Sequence, residues 1–224
     1  MTVQEIVNRV RAAIDEVMQN DSQFLSQSTD EENLTTIIID KIGYALQYVI
    51  EFAPLDKLDG SMLKELTSEQ VSQQFSIDSS TLMGKLELPS DLLRIIEARL
   101  SSWSHFPIPE PTTSQVYLMQ QDEYARGSWD RPVNILRYSS GKQILEMYSA
   151  KTVDDELIFV YVAKPAVSYS SLSDTVDVPS RLEAALIYQV AALAMVAFRE
   201  DVASSLFTIA ARHMGIETNN NEPA

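Results

Sequence analysis

Cysteine is absent from the 224 residues, which removes a disulfide framework, a thiolate nucleophile and a thiolate metal ligand in one stroke. Glycine is nearly as scarce, at six, too few for a phosphate-cradling loop to be hidden among them. Basic residues are outnumbered: 17 Lys and Arg face 32 Asp and Glu, a net charge of −15. A field of that sign repels phosphate at long range, so recognition of DNA or RNA through a basic patch is not expected. DNA passing nearby without being held is compatible with it. Long apolar runs are missing as well. The longest uncharged stretch, Ala184 to Phe198, contains Gln189 and is too short to span a bilayer. Glu5, Arg9, Arg11, Asp15 and Glu16 interrupt the N-terminal apolar residues, unlike a signal peptide. The chain is therefore expected to be soluble and cytoplasmic, and long enough to bury a sizeable core.

What is there is organised around Val178–Gly215. Ser180 and Glu183 form an S-x-x-E capping box, Leu182, Leu186, Val190, Leu193 and Ala197 recur at helical spacing, and Gly215 offers a left-handed cap. The spacing predicts one long helix, with Asp201 as the place where a second, shorter one would begin. Nine alanines between Ala184 and Ala211 make it smooth on more than one side. Two readings of that smoothness stay open: the central helix of a monomeric core, or a rod with one face inward and another against a neighbouring subunit.

Before it, Thr2 and Glu5 form another capping box, opening a helix with Val3, Ile6, Val7, Val10, Ile14, Val17 and Met18 on one face. The polar stretch Asn20–Ser28 leads to a second helix carrying Leu34, Ile37, Ile38, Ile42, Ala45, Leu46, Val49 and Ile50, stopped by Pro54. Short helices are expected at Ser61–Leu66 and Thr67–Phe75, and a strand through Leu82, Leu86 and Leu88. Pro89-Ser90-Asp91 is read as launching a helix, LLRIIEARLSSW. Ser104 to Pro111, with three prolines, is an extended loop. Ser114–Arg126 reads as a short helix. Val133–Tyr138, Gln143–Ser149 and Glu156–Ala163 read as an antiparallel meander whose third strand, apolar on both faces, is central. A Ser-rich linker, Ser168 to Asp174, precedes the long helix.

The expected fold is therefore α+β but mainly helical: a helical bundle with a long C-terminal helix and a small antiparallel β meander. Its expected divisions are an N-terminal hairpin with an irregular helical segment (1–80), a core (81–216) and a flexible tail (217–224).

Chemistry is harder to find. His105 and His213 lie in different elements without carboxylates at ligand spacing, and no H-E-x-x-H, D-x-D-x-D-G or G-x-S-x-G motif occurs. Asp154-Asp155-Glu156 clusters three carboxylates in a turn, where acidic residues are common for conformational reasons. Trp103 and Trp129 flank loops and suit either an interface anchor or the edge of the core. No catalytic, cofactor-binding or metal-binding residue is assigned, and an enzyme is not expected.

Three segments in order carry a resemblance: LPSDLLRIIEARLSSW at 88–103, then RPV at 131–133 leading to IFVYVAKP at 158–165, then VPSRLEAALIYQVAALA at 178–194 with a closing Met214-Gly215. This order resembles the neck proteins of tailed bacteriophages, in particular the ring or adaptor proteins of short-tailed phages such as the crAss-like group. The resemblance implies a virion structural protein made in the bacterial cytoplasm. It further implies a closed ring of about twelve copies, contacts with the portal and other neck or tail ring proteins, and genomic DNA passing through without specific binding. No membrane contact or cofactor is implied. The proline-rich loop at 104–111 and the tail from Thr218 are departures from a generic adaptor. The alternatives are another tail or capsid-associated structural protein, or a non-viral cytoplasmic helical module that binds protein.

Overall fold

A computed structural model describes residues 1–18, 28–122 and 124–216. The helices are α1 (Val3–Val17), α2 (Ser28–Phe52), α3 (Ser68–Gln74), α4 (Gln115–Met119), α5 (Glu183–Met195) and α6 (Glu200–Met214). The strands are β1 (Leu63–Glu65), β2 (Phe75–Ile77), β3 (Gly84–Glu87), β4 (Leu92–Leu100), β5 (Glu110–Pro111), β6 (Val133–Ser139), β7 (Lys142–Tyr148) and β8 (Leu157–Ala163). The chain divides into two compact units, one made of Met1–Met62 with Pro165–Ala224 and the other of Leu63–Lys164. The expected polar loop at 20–28 (but for Ser28, which starts α2) and the expected tail lie outside the described residues.

The first unit is helical because four segments carry apolar stripes at helical spacing. On α1 the residues Val3, Ile6, Val7, Val10, Ala13 and Ile14 are buried, and Thr2 caps the helix by accepting from the Glu5 N–H at 3.1 Å. The Ser-rich segment before α5 also serves α1: the Asp174 and Leu172 carbonyls accept from the N–H groups of Val3 and Gln4. Those N–H groups are among the orphans of a helix start. On α2, Ile38, Ile42, Ala45, Leu46, Val49 and Ile50 are buried, and the helix ends before Pro54.

The C-terminal segment is not one rod. It makes a 3-10 turn at Ser180–Leu182, then α5, then a break, then α6. Ser180 makes no capping bond to α5; Leu182 is the N-cap residue and Glu183 turns instead to Arg9, 3.0 Å away. Arg199 takes an extended conformation (φ −147°, ψ 94°), so the chain folds back and α6 packs along α5. Arg199 then grips the Asp201 carboxylate with two bonds of 3.0 and 2.9 Å. Gly215 ends α6 in the left-handed region (φ 83°), where a side chain would be strained, and the Lys57 ammonium donates to the His213 carbonyl at 2.8 Å.

The second unit overturns the expectation of a mainly helical bundle with a small meander. Among the described residues helix accounts for 42% and strand for 23% of the whole chain, and the eight strands, in two sheets, all lie in this unit. One sheet has the order β1-β8-β4, the other β2-β3-β7-β6-β5. The Ser140-Gly141 turn, with φ of 52° and 79°, makes the expected β6–β7 hairpin in the form that follows strand twist. The third strand does not continue the meander. Both edges of β7 are already taken, by β6 and by β3. β8 instead pairs with β4 on one side and β1 on the other, and so is central in the smaller sheet.

The segment read as the helix LLRIIEARLSSW is the nine-residue strand β4. Its register against β8 shifts twice, between Leu92 and Arg94 and between Ile95 and Glu97. The extra residues, Leu93 and Ile96, are the second members of two apolar doublets. Each bulge resets the in-out alternation, and an alternation reset twice imitates helical spacing. Beyond the bulges the alternation is plain, with Ala98 and Leu100 buried against Phe159, Tyr161, Leu145 and Met147. Ser61–Leu66, also expected to be helical, is a 3-10 turn followed by β1, while Thr67 does open α3 with a complete capping box through Gln70. Of Ser114–Arg126 only Gln115–Met119 is α-helical. Among the described residues no helix is long and apolar enough to cross a membrane.

Because α5 is surrounded, its alanines set how closely its neighbours approach. Ala185→Leu, at a fully buried position, is expected to destabilise the chain by about 1–3 kcal/mol, read as a lower urea midpoint. Ala197→Leu at the exposed corner is expected to change it by less than about 0.5 kcal/mol.

Candidate functional site

A groove of about 360 Å³ opens between α1, α5 and α6. Helical spacing places its lining. Arg9, Ala12, Ala13 and Glu16 stand on one face of α1, Ala184, Ile187 and Tyr188 on one face of α5, and His213 closes it from the last turn of α6. The floor is small and apolar. The rim is polar and largely paired within the chain: Arg9 reaches Glu183 at 3.0 Å and Glu5 at 3.8 Å, and the Tyr188 hydroxyl donates to Glu16 at 3.2 Å. The Tyr188 ring stacks on His213 with centroids 5.3 Å apart and planes 3° from parallel. Burial first, and the Glu16 carboxylate second, push the Tyr188 phenol above its ordinary value, so it serves as a donor and not as a nucleophile or base. The groove therefore has an apolar centre between charged ends.

The other residues singled out from the sequence are not brought together. His213 stands in the groove, while His105 is exposed in the second unit beside Ser104. The Asp155 carboxylate accepts from the Ser102 hydroxyl at 2.7 Å and from the Lys151 and Thr152 N–H groups at 2.6 and 3.3 Å, so it shapes its own turn. Among the described residues no group of three or more His, Asp or Glu is placed to hold a metal ion. Trp103 is 2% exposed and donates to the Ser149 carbonyl at 2.9 Å, a core position, whereas Trp129 is 46% exposed with the Lys151 ammonium 4.8 Å from its ring.

Two features escaped the sequence reading. One is Glu146 on β7, only 4% exposed, which bonds Arg137 at 3.2 Å and the Tyr148 hydroxyl at 3.1 Å. Its signal is a lone acid two residues before a tyrosine in an apolar strand, hence on the same face. The other is the outer face of α2. Tyr44, Tyr48 and Phe52 follow at i, i+4 and i+8 and are 70%, 42% and 50% exposed. The Tyr48 and Phe52 rings lie 4.7 Å apart, and the spacing alone marks them as one stripe.

No protein-family model matches the chain, and no curated protein matches it in sequence.

Burial first and the Glu146 carboxylate second push the Tyr148 phenol up to about 12. Burial first and Asp91 second do the same for Tyr161, to about 12. Both phenols therefore hold their protons higher on the pH scale when folded than when unfolded. The stability this contributes is fully present below about pH 10 and is lost as pH rises towards the folded value of about 12. Urea midpoints taken in steps across that window are expected to fall with pH. The fall should be shallower in a chain carrying Tyr148→Phe and Tyr161→Phe.

Proposed function

We propose that the chain is a structural subunit of a tailed-bacteriophage neck, forming a ring that joins the portal to the tail and surrounds the path of the genome. The reading rests on the order of the three segments at 88–103, 131–165 and 178–215. One physical observation supports it best: a chain of charge −15 carries an exposed, uncharged aromatic stripe on α2. Such a stripe is costly to leave in water and is commonly found where another protein binds.

The mechanical part differs from the rod pictured from the sequence. α5 is buried on nearly all sides by its own unit, with Ala185, Leu186, Ile187, Gln189, Val190, Ala191, Ala192, Ala194 and Met195 inside. Ala185, Ala191, Ala192 and Ala194 serve packing within the subunit, and of α5 only the groove wall at Ala184, Ile187 and Tyr188 is left for contacts between subunits. The acidic charge has a role in this reading: a negative channel wall does not grip phosphate, so DNA slides during packaging and ejection. In this reading the protein acts by position and surface charge, without catalysis, cofactor or membrane contact.

The groove favours a second reading, a helical module that binds a protein segment. Native mass spectrometry of the chain mixed with its portal separates the two. A ring of about twelve copies is expected from the neck protein, and a strict monomer with the portal present would favour the module. In particles, replacing channel-facing Asp or Glu by Lys is expected to slow ejection, and unchanged kinetics would remove the role of charge.

A further inference from the structure

We propose that the aromatic stripe of α2 seats in the α1/α5/α6 groove of a second copy of this chain, giving a head-to-tail contact. The two surfaces belong to the same compact unit and share no residue. One is convex and the other concave. A contact between two different patches is heterologous, and repetition carries it from copy to copy.

The choice of a second copy over a foreign partner comes from the order of charges. Along α2 a cation, Lys41, stands at one end of the stripe, no charged residue occurs from Ile42 to Ile50, and Glu51 follows. Along the α1 wall of the groove Arg9 comes first, Ala12 and Ala13 follow, and Glu16 closes it. Both strips thus run from a cation already paired with an acid (Lys41 with Asp40, Arg9 with Glu5 and Glu183) through neutral residues to an acid. Laid antiparallel, they bring Lys41 to Glu16 and Glu51 to Arg9 in a single register. At 1.5 Å per residue the charges lie about 15 Å apart on α2 and about 10 Å apart on α1, a difference that long Lys and Arg side chains span.

Size fits as well. About 360 Å³ over an alanine floor receives aromatic rings that a floor of larger residues would exclude. None of these side chains is idle in the single subunit. Lys41 lies 3.1 Å from Asp40, and Arg9 and Glu16 are bonded as described. The contact therefore extends existing pairs, and the rings supply its apolar centre.

This inference rests on the neck reading only for closure of the contact into a ring. The absence of cysteine makes the test direct. Gln47→Cys, partly exposed beside the stripe and leaving its rings intact, and Ala12→Cys, exposed in the groove, are made in separate chains, mixed and mildly oxidised. The expected product is the covalent heterodimer, well above its statistical share. Predominance of either homodimer, or no covalent dimer at high protein concentration, would overturn the proposal.

Lys41→Glu in the first chain or Glu16→Lys in the second is expected to weaken the association about tenfold, seen as lost cross-link. Combining the two should restore it, and failure to restore would overturn the register. Rings with the portal but no cross-link would leave the neck reading standing and remove this contact. A cross-link without rings would do the reverse.

Discussion

The helical unit depends on the enclosure of α5. Its neighbours α1, α2 and α6 all pack on it, and Leu186, Ile187, Val190 and Met195 are buried at positions around its circumference. Each such side chain contributes about 1.5–3 kcal/mol by leaving water. The alanines between them hold the neighbouring helices close, because a small side chain on every side lets three backbones approach at once. The polar anchors are peripheral to this. Arg9 with Glu183, Lys57 with the end of α6, and the 165–176 segment across the start of α1 fix orientation at half-exposed sites, where ion pairs are worth little on their own.

That enclosure also decides where intermolecular surface is left. A helix wrapped by its own unit offers little beyond the groove wall at Ala184, Ile187 and Tyr188, so most of the smoothness of the C-terminal segment has an intramolecular cause. The outward side of α2 has no such cause. Its buried face already supplies an apolar stripe to the core, and a lone hairpin helix needs nothing aromatic on the other side. Tyr44, Tyr48 and Phe52 there form exposed apolar surface of the kind commonly found where another protein binds.

Much of the helical unit was legible because its period is unambiguous. α1, α2 and the Gly215 cap follow from local spacing and capping, whereas spacing predicts one long helix where the chain breaks at Arg199 into α5 and a longer α6. The sheets were legible strand by strand but not in their pairing. β6, β7 and β8 stand where alternation puts them, yet the partner of β8 depends on β3 having taken the free edge of β7, a fact no local pattern contains. β4 was misread because bulges at its two apolar doublets turn a period of two into an apparent period near 3.6. The groove was not legible either, since it joins residues 9–16, 184–188 and 213, which only the packing of three helices brings together. Of its residues only His213 had been singled out, and for a different chemistry.

Charge sets the final constraint on the contact proposed between copies of this chain. Two bodies of charge −15 repel at distances up to about a Debye length, roughly 8 Å at physiological salt, so a broad contact between acidic surfaces is disfavoured. A narrow contact through an uncharged strip evades most of that cost. It also confines attraction to the few sites where a cation stands opposite an acid. Lys41 and Arg9 are two of only 17 basic residues, and each lies at the end of an apolar strip. Scarce cations placed in that way favour one register, because reversing the strips brings like charges together and sliding them sets charges against uncharged residues. In the proposed contact the acidic surplus acts against unspecific association and leaves the uncharged strips as the place of approach.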